Sequence, residues 1–286
     1  MENSKKNIHR FPGHMKKASD KISEKLKLVD FVICLIDARA PKSTFNKYLI
    51  NLTKDKKKLY ILNKLDLSDE NITKSWVNKL NSEGNRAIAI SLQDKNAKKD
   101  IFKAIDVFIK EKNEKMLAKG IKKTTSRAMV IGIPNVGKST FINILLGRNQ
   151  MKAANTPGFT KAVSWAKISE SFEIMDTPGI LEPKFETKEQ SINLALIGAI
   201  KDLILPTEEL AFYCLNFLKE NYKKEVEKRY DFDFNNINND VEVFTIIATK
   251  RGYLKAKNEP DIDKAEFVFL NEFKNGLICK FSLEKN

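Results

Sequence analysis

Residues 132–140, GIPNVGKST, decide the fold of this chain. They fit the pattern G-x-x-x-x-G-K-[ST], whose glycines let the backbone curl until successive N–H groups face a phosphate. The apolar run RAMVIGI at 127–133 predicts a strand before the loop, and STFINILLG at 139–147 predicts a helix after it, ended by Gly147. Because a helix N-terminus attracts anions, this context predicts a phosphate-binding loop (P-loop) rather than an ordinary strand–helix turn.

Each position of the P-loop carries an expected task. We expect Lys138 to neutralise the β- and γ-phosphates as a catalytic group, and the Ser139 hydroxyl to bind Mg²⁺. Nucleotide contacts are expected along the whole run Asn135, Val136, Gly137, Lys138, Ser139 and Thr140. The loop therefore predicts a nucleoside triphosphate bound together with Mg²⁺.

A second motif, DTPG at 176–179, follows the apolar run SFEIM. The Asp176 carboxylate is expected to hold Mg²⁺ through a water, and the Gly179 N–H to contact the γ-phosphate. Between the two motifs, ANTPGFT offers Thr160, or alternatively Thr156, as the threonine that reaches Mg²⁺ when the γ-phosphate is present. This combination is typical of an enzyme that cleaves a γ-phosphate.

A candidate base-reading loop, NKLD at 63–66, lies before the P-loop. A carboxylate at Asp66 would accept guanine N1–H and the 2-amino group together, whereas adenine would leave it unpaired. Asn63 is expected to bond base N7 and to pin the P-loop. Further base contacts are expected from the side-chain stem of Lys64, from Leu65, and from a second loop at Ser91 and Leu92. GTP and GDP are the predicted ligands, and an ATPase is the alternative if NKLD is accidental.

The order of these motifs is a cyclic shift of the usual one, because the base-reading loop comes first. A sheet tolerates such a shift when the old termini are close and the new break falls in a surface loop. We therefore predict an α/β fold, a Ras-like P-loop GTPase domain with circularly permuted motif order, followed by an all-α domain. The expected boundaries are 1–185, with 1–27 as an N-terminal segment, and 186–286.

Hydrophobic patterning predicts the remaining elements. Apolar runs predict strands at 28–38, 58–62, 86–91, 127–133, 162–168 and 171–175, the last two forming a pair. Helical spacing predicts helices at 101–119, 187–205, 207–230 and 261–275, with 231–240 as a loop. In the third helix Leu210, Cys214, Leu218 and Tyr222 recur every fourth residue, and Asp261 or Asp263 is expected to cap the fourth.

The balance of charge indicates a polyanionic partner. Lys and Arg total 51 against 37 Asp and Glu, a net charge of +14, which favours nucleic acid over a membrane surface. A lysine-rich composition without such a partner is the alternative. The chain has no apolar run long enough to cross a bilayer and no secretory signal. Its three separated cysteines are expected to be buried reduced thiols, so the cytoplasm is the expected compartment.

Several longer stretches resemble the circularly permuted GTPases of the ribosome biogenesis GTPase A family. They are FPGHMKKA at 11–18, DARAPKSTFN at 37–46, PGFTKAVSW at 157–165, DTPGILEPKF at 176–185, LALIGAIKD at 194–202 and the tail KAEFVFLNEFKNGLICKFSLE. The resemblance implies a late assembly factor of the large (50S) ribosomal subunit whose helical domain contacts ribosomal RNA, and we expect a monomer. Departures are Arg10 in place of Trp, Leu92 in place of Ala, and KAKNEPDID at 255–263 without a glycine pair.

The position after DTPG is Ile180, where Ras-like enzymes use Gln to orient water, so slow intrinsic hydrolysis is expected. Two substitutes are available: His14, which the resemblance also implies, and a K⁺ ion held partly by Asn135. We expect ribosome binding to deliver His14 and so to stimulate hydrolysis. The alternatives are a GTPase that acts on tRNA or another RNA outside ribosome assembly, and a nucleotide-gated RNA-binding module without significant turnover.

Overall fold

The computed structural model describes residues 13–147, 164–200 and 205–286, with side chains from Lys16 onward. The strands are β1 (Phe31–Asp37), β2 (Lys57–Asn63), β3 (Arg86–Ala89), β4 (Ser126–Ile131), β5 (Ser164–Ser169) and β6 (Phe172–Asp176). The helices are α1 (Gly13–Lys25), α2 (Pro41–Thr44), α3 (Lys47–Leu52), α4 (Glu70–Ser82), α5 (Ala97–Leu117), α6 (Lys138–Leu146), α7 (Lys188–Leu196), α8 (Thr207–Asn221), α9 (Lys223–Tyr230), α10 (Asp240–Arg251) and α11 (Ile262–Lys274).

The strands form one sheet in the order β3-β2-β1-β4-β6-β5. All neighbouring pairs are parallel except β5 and β6, which form the expected pair and run antiparallel. β1 pairs with β2 on one side and β4 on the other, so the carboxyl ends of β2 and β4 flank that of β1. Loops that follow parallel strands at this edge are the usual place for a ligand.

β1 explains how both faces of the sheet are covered. Every residue of FVICLID is buried, and alternate side chains enter two different apolar clusters. Phe31, Ile33 and Leu35 pack with α5, α6 and the later helices, whereas Val32, Cys34 and Ile36 pack with α1, α3 and α4. The predicted α/β class is confirmed, and this two-sided burial is its physical basis.

The helices after β6 differ from the expected three. The predicted helix 207–230 is wrong as a single element, because α8 ends at Asn221 and Tyr222 (φ −140°) separates it from α9. Tyr222 therefore lies outside the helix, while Leu210, Cys214 and Leu218 are buried as expected. In α11, the Asp261 side chain accepts from the Lys264 N–H, so Asp261 is the cap.

Helix α10 was not predicted at all. Its sequence, DVEVFTIIATKR, is rich in β-branched residues, which have low helix propensity. Local capping and packing override that propensity: Asn239 accepts from the Glu242 N–H, and Gly252 closes the last turn with φ 67°. Val243, Phe244 and Ile247 of this helix are buried.

The chain returns to the α/β part at its C-terminus. The Phe281 N–H donates to Leu67 O (3.1 Å), and the Leu283 N–H donates to Arg39 O (2.8 Å). Buried apolar side chains of the sheet face and of the later helices belong to one contiguous cluster. The expected boundary at 185/186 stays a prediction, but the two parts are joined by a shared core and a returning tail.

Two further observations concern the described residues. None of their helices combines the length and the apolar character needed to cross a membrane. Cys34 and Cys214 are buried free thiols, and Cys279 is partly buried. Burial raises the pKa of the Cys34 thiol to about 12, so this thiol is protonated and unreactive at neutral pH.

Candidate nucleotide-binding site

The base-reading loop and the P-loop are joined by one buried side chain. Asn63 is the last residue of β2, and its Nδ2 donates to Val136 O in the P-loop (2.9 Å). Gly137 leaves room for this contact, because a Cβ there would lie 2.6 Å from Asn63 Nδ2, and its φ of +104° also favours glycine. The expected pinning of the P-loop by Asn63 is therefore present in the structure.

The second base loop lies beside NKLD. The Leu65 N–H donates to Ile90 O (3.1 Å), which fastens NKLD to the end of the β3 segment. Ser91 and Leu92 follow directly, and Leu92 Cδ1 would touch a Cβ at Gly137. Asp66 is partly buried in the short 3₁₀ turn Leu65–Leu67. The structure thus brings NKLD, residues 91–92 and the P-loop to one edge of the sheet.

The P-loop carries its expected bend. Asn135 adopts the left-handed conformation (φ 58°), and α6 begins at Lys138, so Ser139 and Thr140 occupy the first helical turn. The Lys138 Nζ is buried and donates to Gly132 O (3.1 Å) and Ile133 O (2.7 Å). Burial lowers the pKa of Lys138 to about 8, against the opposing effect of Asp176. Phosphate oxygens would give this ammonium charged acceptors in place of neutral carbonyls.

Asp176, at the end of β6, is a buried carboxylate whose charge interacts with that of Lys138. Its Oδ1 has no hydrogen-bond partner among the described residues. Burial raises the pKa of Asp176 to about 6, while Lys138 and the Thr177 N–H oppose that rise. A buried oxygen without a partner is costly unless a ligand or ion completes it.

The DTPG segment packs directly against the P-loop. A Cβ at Gly179 would lie 2.7 Å from the backbone N and Cα of Pro134, so only glycine permits this approach. Ile180 is fully buried in the apolar cluster under α1, α3 and α4, and its carbonyl accepts from Asn46 Nδ2 (2.7 Å). A side chain held in this way has no access to a water at the phosphates.

Three of the expected site residues need separate mention: the threonine that would reach Mg²⁺, His14 and Asn135. Thr160 and the alternative Thr156 lie outside the described residues, and so does the side chain of His14, a residue in the first turn of α1. The Asn135 Nδ2 donates to Gly198 O (2.9 Å), just beyond the end of α7. The P-loop is thereby bonded to the helical part.

Sequence reasoning missed a buried charge cluster beside NKLD. The Lys64 Nζ lies 2.9 Å from Asp37 Oδ2, and Arg39 binds the same carboxylate through Nε (2.9 Å) and Nη2 (2.8 Å). Burial alone would raise the pKa of Asp37, but the Arg39 and Lys64 charges hold it well below its usual range. Asp37 and Arg39 both lie in DARAPKSTFN, one of the stretches that carry the family resemblance, but no role was predicted for either residue.

Comparisons with known proteins agree with this site. Residues 127–250 match the family described as "50S ribosome-binding GTPase", a match that begins in the strand before the P-loop and leaves NKLD upstream. Ribosome biogenesis GTPase A of Bacillus cereus is 42% identical over 278 residues, which cover 97% of this chain and 93% of that protein. The protein of the same name from Thermotoga maritima is 30% identical, over 96% of this chain and 93% of that protein.

Solved structures give the same result. The crystal structure of GNP-bound YlqF from T. maritima has a TM-score of 0.67 and 27% identity, covering 94% of this chain and 98% of that one. The GDP-bound structure of T. maritima YlqF has a TM-score of 0.65 and 26% identity, over 93% and 98% of the two chains. With similarity that spans nearly the whole length and loops that converge on one site, this chain is a GTP hydrolase and belongs to the ribosome biogenesis GTPase A family of circularly permuted GTPases.

Proposed function

We propose that this GTPase binds GTP and GDP with Mg²⁺ between NKLD and the P-loop, and that it acts late in assembly of the large (50S) ribosomal subunit. The observation that carries the nucleotide proposal is the Asn63–Val136 hydrogen bond of 2.9 Å. It holds the two loops at a set separation, as a ligand with a base at one end and phosphates at the other requires.

The residues at the phosphate end fit Mg²⁺. Asp176 supplies a buried oxygen without a partner, and Ser139 offers a hydroxyl in the first turn of α6. Oxygen donors of this kind are those that Mg²⁺ prefers, usually with several retained waters. The ion would supply positive charge against the charge that develops on the phosphates. Thr160 would add a third oxygen.

The chain's own groups would act on the γ-phosphate. Lys138 would exchange the carbonyls of Gly132 and Ile133 for phosphate oxygens, and the Gly179 N–H would donate to the γ-phosphate. At the other end of the nucleotide, Asp66 would accept the two guanine hydrogens, with the remaining base contacts from Lys64, Leu65, Ser91 and Leu92. Asn135, Val136, Gly137 and Thr140 would complete the phosphate contacts.

The base contact is tested by Asp66→Asn, because the amide presents a donor where guanine also presents a donor. Xanthine, which has a carbonyl at that position, would then bind better than guanine. Competition titrations with GDP, xanthosine diphosphate and ADP measure the change. Equal guanine preference in the variant and the wild type would remove NKLD from the site, and a preference of the wild type for ADP would favour the ATPase interpretation.

Activation of the attacking water needs a group other than Ile180, which is fully buried. We propose that His14 is delivered by the bound ribosome, and that K⁺ held partly by Asn135 offsets charge at the phosphates. The contact from Asn135 Nδ2 to Gly198 O leaves the side-chain oxygen as the atom that would face such an ion. The two groups act on different atoms, so their effects can be measured separately.

The ribosomal proposal draws on charge and on the names of the relatives. A net charge of +14 favours an RNA surface, and we assign that contact to residues 186–286, with 1–185 as the GTPase domain. The protein would act as a monomer in the cytoplasm. The other candidates, a GTPase acting on tRNA or another RNA and a nucleotide-gated RNA-binding module, differ from this proposal in their response to 50S particles.

The deciding experiment measures GTP turnover by wild type and His14→Ala, with and without 50S subunits, in K⁺ and in Na⁺. The proposal expects stimulation by 50S subunits, loss of most of that stimulation in the variant, and faster turnover in K⁺. Lys138→Met is the matched inactive control. Full stimulation of His14→Ala would remove His14, equal rates in K⁺ and Na⁺ would remove the potassium ion, and no stimulation of the wild type would favour the alternatives.

A further inference from the structure

The buried ion pair of Asp37 and Arg39 has no assigned task in nucleotide binding. Asp37 ends β1 and Arg39 follows two residues later, and both are almost fully buried, at 1% and 2% exposure. Three hydrogen bonds join them, from the Arg39 backbone N–H (3.1 Å), Nε (2.9 Å) and Nη2 (2.8 Å). Burying two charges is costly, and such a pair is often no more stable than apolar packing. Stability alone therefore does not account for it.

The pair reaches the base-reading loop on one side. Lys64 Nζ lies 2.9 Å from Asp37 Oδ2, and Lys64 itself adopts the left-handed backbone conformation, with φ 66°. That conformation costs free energy for a residue with a side chain, so surrounding contacts must hold it. Asp37 provides such a contact, because it anchors the ammonium and so directs the aliphatic stem that would lie along the base.

On the other side the pair reaches the ends of two helices. Arg39 Nη1 donates to Lys274 O (2.7 Å) at the end of α11, and Nη2 donates to Ile197 O (2.9 Å) just after α7. Carbonyls at helix C-termini lack intrahelical partners and carry partial negative charge, so a guanidinium stabilises both. Only arginine presents enough donors in one rigid fork to serve the carboxylate and both carbonyls.

The same turn is held by the phosphate side of the site. Asn135 of the P-loop donates to Gly198 O (2.9 Å), the carbonyl next to the one that Arg39 binds. The turn at 197–198 thus accepts one hydrogen bond from Arg39, which is linked to the base-reading loop through Asp37, and one from Asn135 of the P-loop. A turn with both contacts is placed to respond to an occupied site.

We propose that the buried ion pair positions Lys64 for base binding and couples the bound nucleotide to the 197–198 turn and thus to the later helices. This rests on the proposed contact of Lys64 with a guanine base. Asp37 and Arg39 act through Lys64 and are positioning residues. Coupling is reciprocal, so loosening the turn should weaken nucleotide binding as much as the nucleotide tightens the turn.

A double-mutant cycle separates this coupling from a purely structural role. GDP affinity is measured for wild type, Arg39→Lys, Lys64→Met and the double variant, with thermal unfolding as a check of folding. We expect Arg39→Lys to weaken GDP binding about tenfold, since it removes charged hydrogen bonds, and to have little further effect once Lys64 is methionine. The proposal would be overturned if the losses of GDP affinity in Arg39→Lys and Lys64→Met multiplied in the double variant. An unchanged affinity in Arg39→Lys alone would also overturn it.

Arg229→Lys is the matched control, because Arg229 donates from Nε to Glu272 (2.9 Å) in the helical part but has no contact with Asp37 or NKLD. It should disturb the contact of α9 with α11 without removing a hydrogen bond to the carbonyls of Ile197 or Lys274, and should therefore leave GDP affinity unchanged. A tenfold loss in this variant would also overturn the proposal, because any disturbance of the helices would then suffice.

Hydrogen exchange keeps the proposal testable if Arg39→Lys does not fold. GDP should slow amide exchange in peptides covering 193–200 and 271–277 of the wild type. In Lys64→Met, which retains the Asp37–Arg39 pair and the Asn135–Gly198 hydrogen bond but loses the link to the base, saturating GDP should slow that exchange clearly less than in the wild type. Slowing in the variant equal to that in the wild type contradicts the proposal. Failure of the wild type to bind GDP would instead contradict the proposed function, so the two failures are distinguishable.

Discussion

Glu284 should hold the C-terminal tail on the α/β part, and its removal should be costly. The carboxylate is 8% exposed and accepts from the Ser43 N–H (3.0 Å), from the Ser43 hydroxyl, and from Asn193 Nδ2 (3.1 Å). Ser43 lies in the first turn of α2, where backbone N–H groups have no intrahelical partner. A single side chain therefore satisfies donors from two separate elements.

The magnitude for Glu284→Ala follows from these donors. A buried donor left unpaired costs about 1 to 3 kcal/mol, and charged acceptors lie at the upper end. Asn193 Nδ2 also lies 3.4 Å from Ser43 Oγ, so these two groups can partly satisfy each other after the substitution. We therefore expect the free energy of unfolding to fall by about 3 kcal/mol, less than the sum over three independent donors.

Urea unfolding monitored by circular dichroism measures this loss, and Glu186→Ala is the matched control. Glu186 forms an ion pair with Lys47 at 2.8 Å, but the side chains are 53% and 60% exposed. An exposed pair contributes about 0 to 1 kcal/mol. If the two variants lose the same small amount, Glu284 does not fasten the tail and the burial argument is wrong.

Two further substitutions have defined outcomes. Gly179→Ala should lower stability by about 1 to 3 kcal/mol and weaken GDP binding in titrations, since its Cβ would lie 2.7 Å from the Pro134 backbone. Gly84→Ala is the control: its Cβ would meet no other part of the chain within 4 Å, so its φ of +78° should cost some stability but GDP affinity should stay unchanged. Burial, with Glu208 and Asp263, raises the pKa of Glu266 to about 7, so the native state binds more protons between pH 4.5 and 7 and loses stability as pH rises. Thermal unfolding should show Glu266→Gln more stable than wild type by about 1 to 2 kcal/mol at pH 8 and equal to it near pH 4.5. A difference that does not change with pH would contradict this.

Local signals were sufficient for most of the α/β part. GIPNVGKST and the apolar runs around it predicted β4, the P-loop and α6, because a strand, a glycine bend and a helix N-terminus are each encoded within a few residues. The apolar run of β2 placed the NKLD loop at a strand end, but its interpretation as a base-reading loop also depended on the P-loop and DTPG elsewhere in the chain. Its early position predicted the permuted order, which the fold confirms.

The helical part was harder to predict, and α10 shows why. Its run of Val, Thr and Ile has no strong helical preference, and its burial against other helices outweighs that weak propensity. The four-residue spacing could not reveal the break at Tyr222, because Tyr222 continues the spacing of Leu210, Cys214 and Leu218 although it lies outside α8. Whether such a segment forms a helix, and where that helix ends, is decided by which of its side chains are buried. That burial depends on packing against residues distant in sequence.

The sequence by itself determined the GTPase chemistry, the permuted order and the basic charge, because each depends on residue types at short spacings. Only the tertiary structure decided that Arg39 joins Asp37 to carbonyls at 197 and 274, that Asn135 reaches Gly198, and that Glu284 fastens the tail to Ser43. These contacts join residues up to 241 positions apart. A buried polar group must find a partner wherever the fold brings one, and no local pattern specifies which residue that will be.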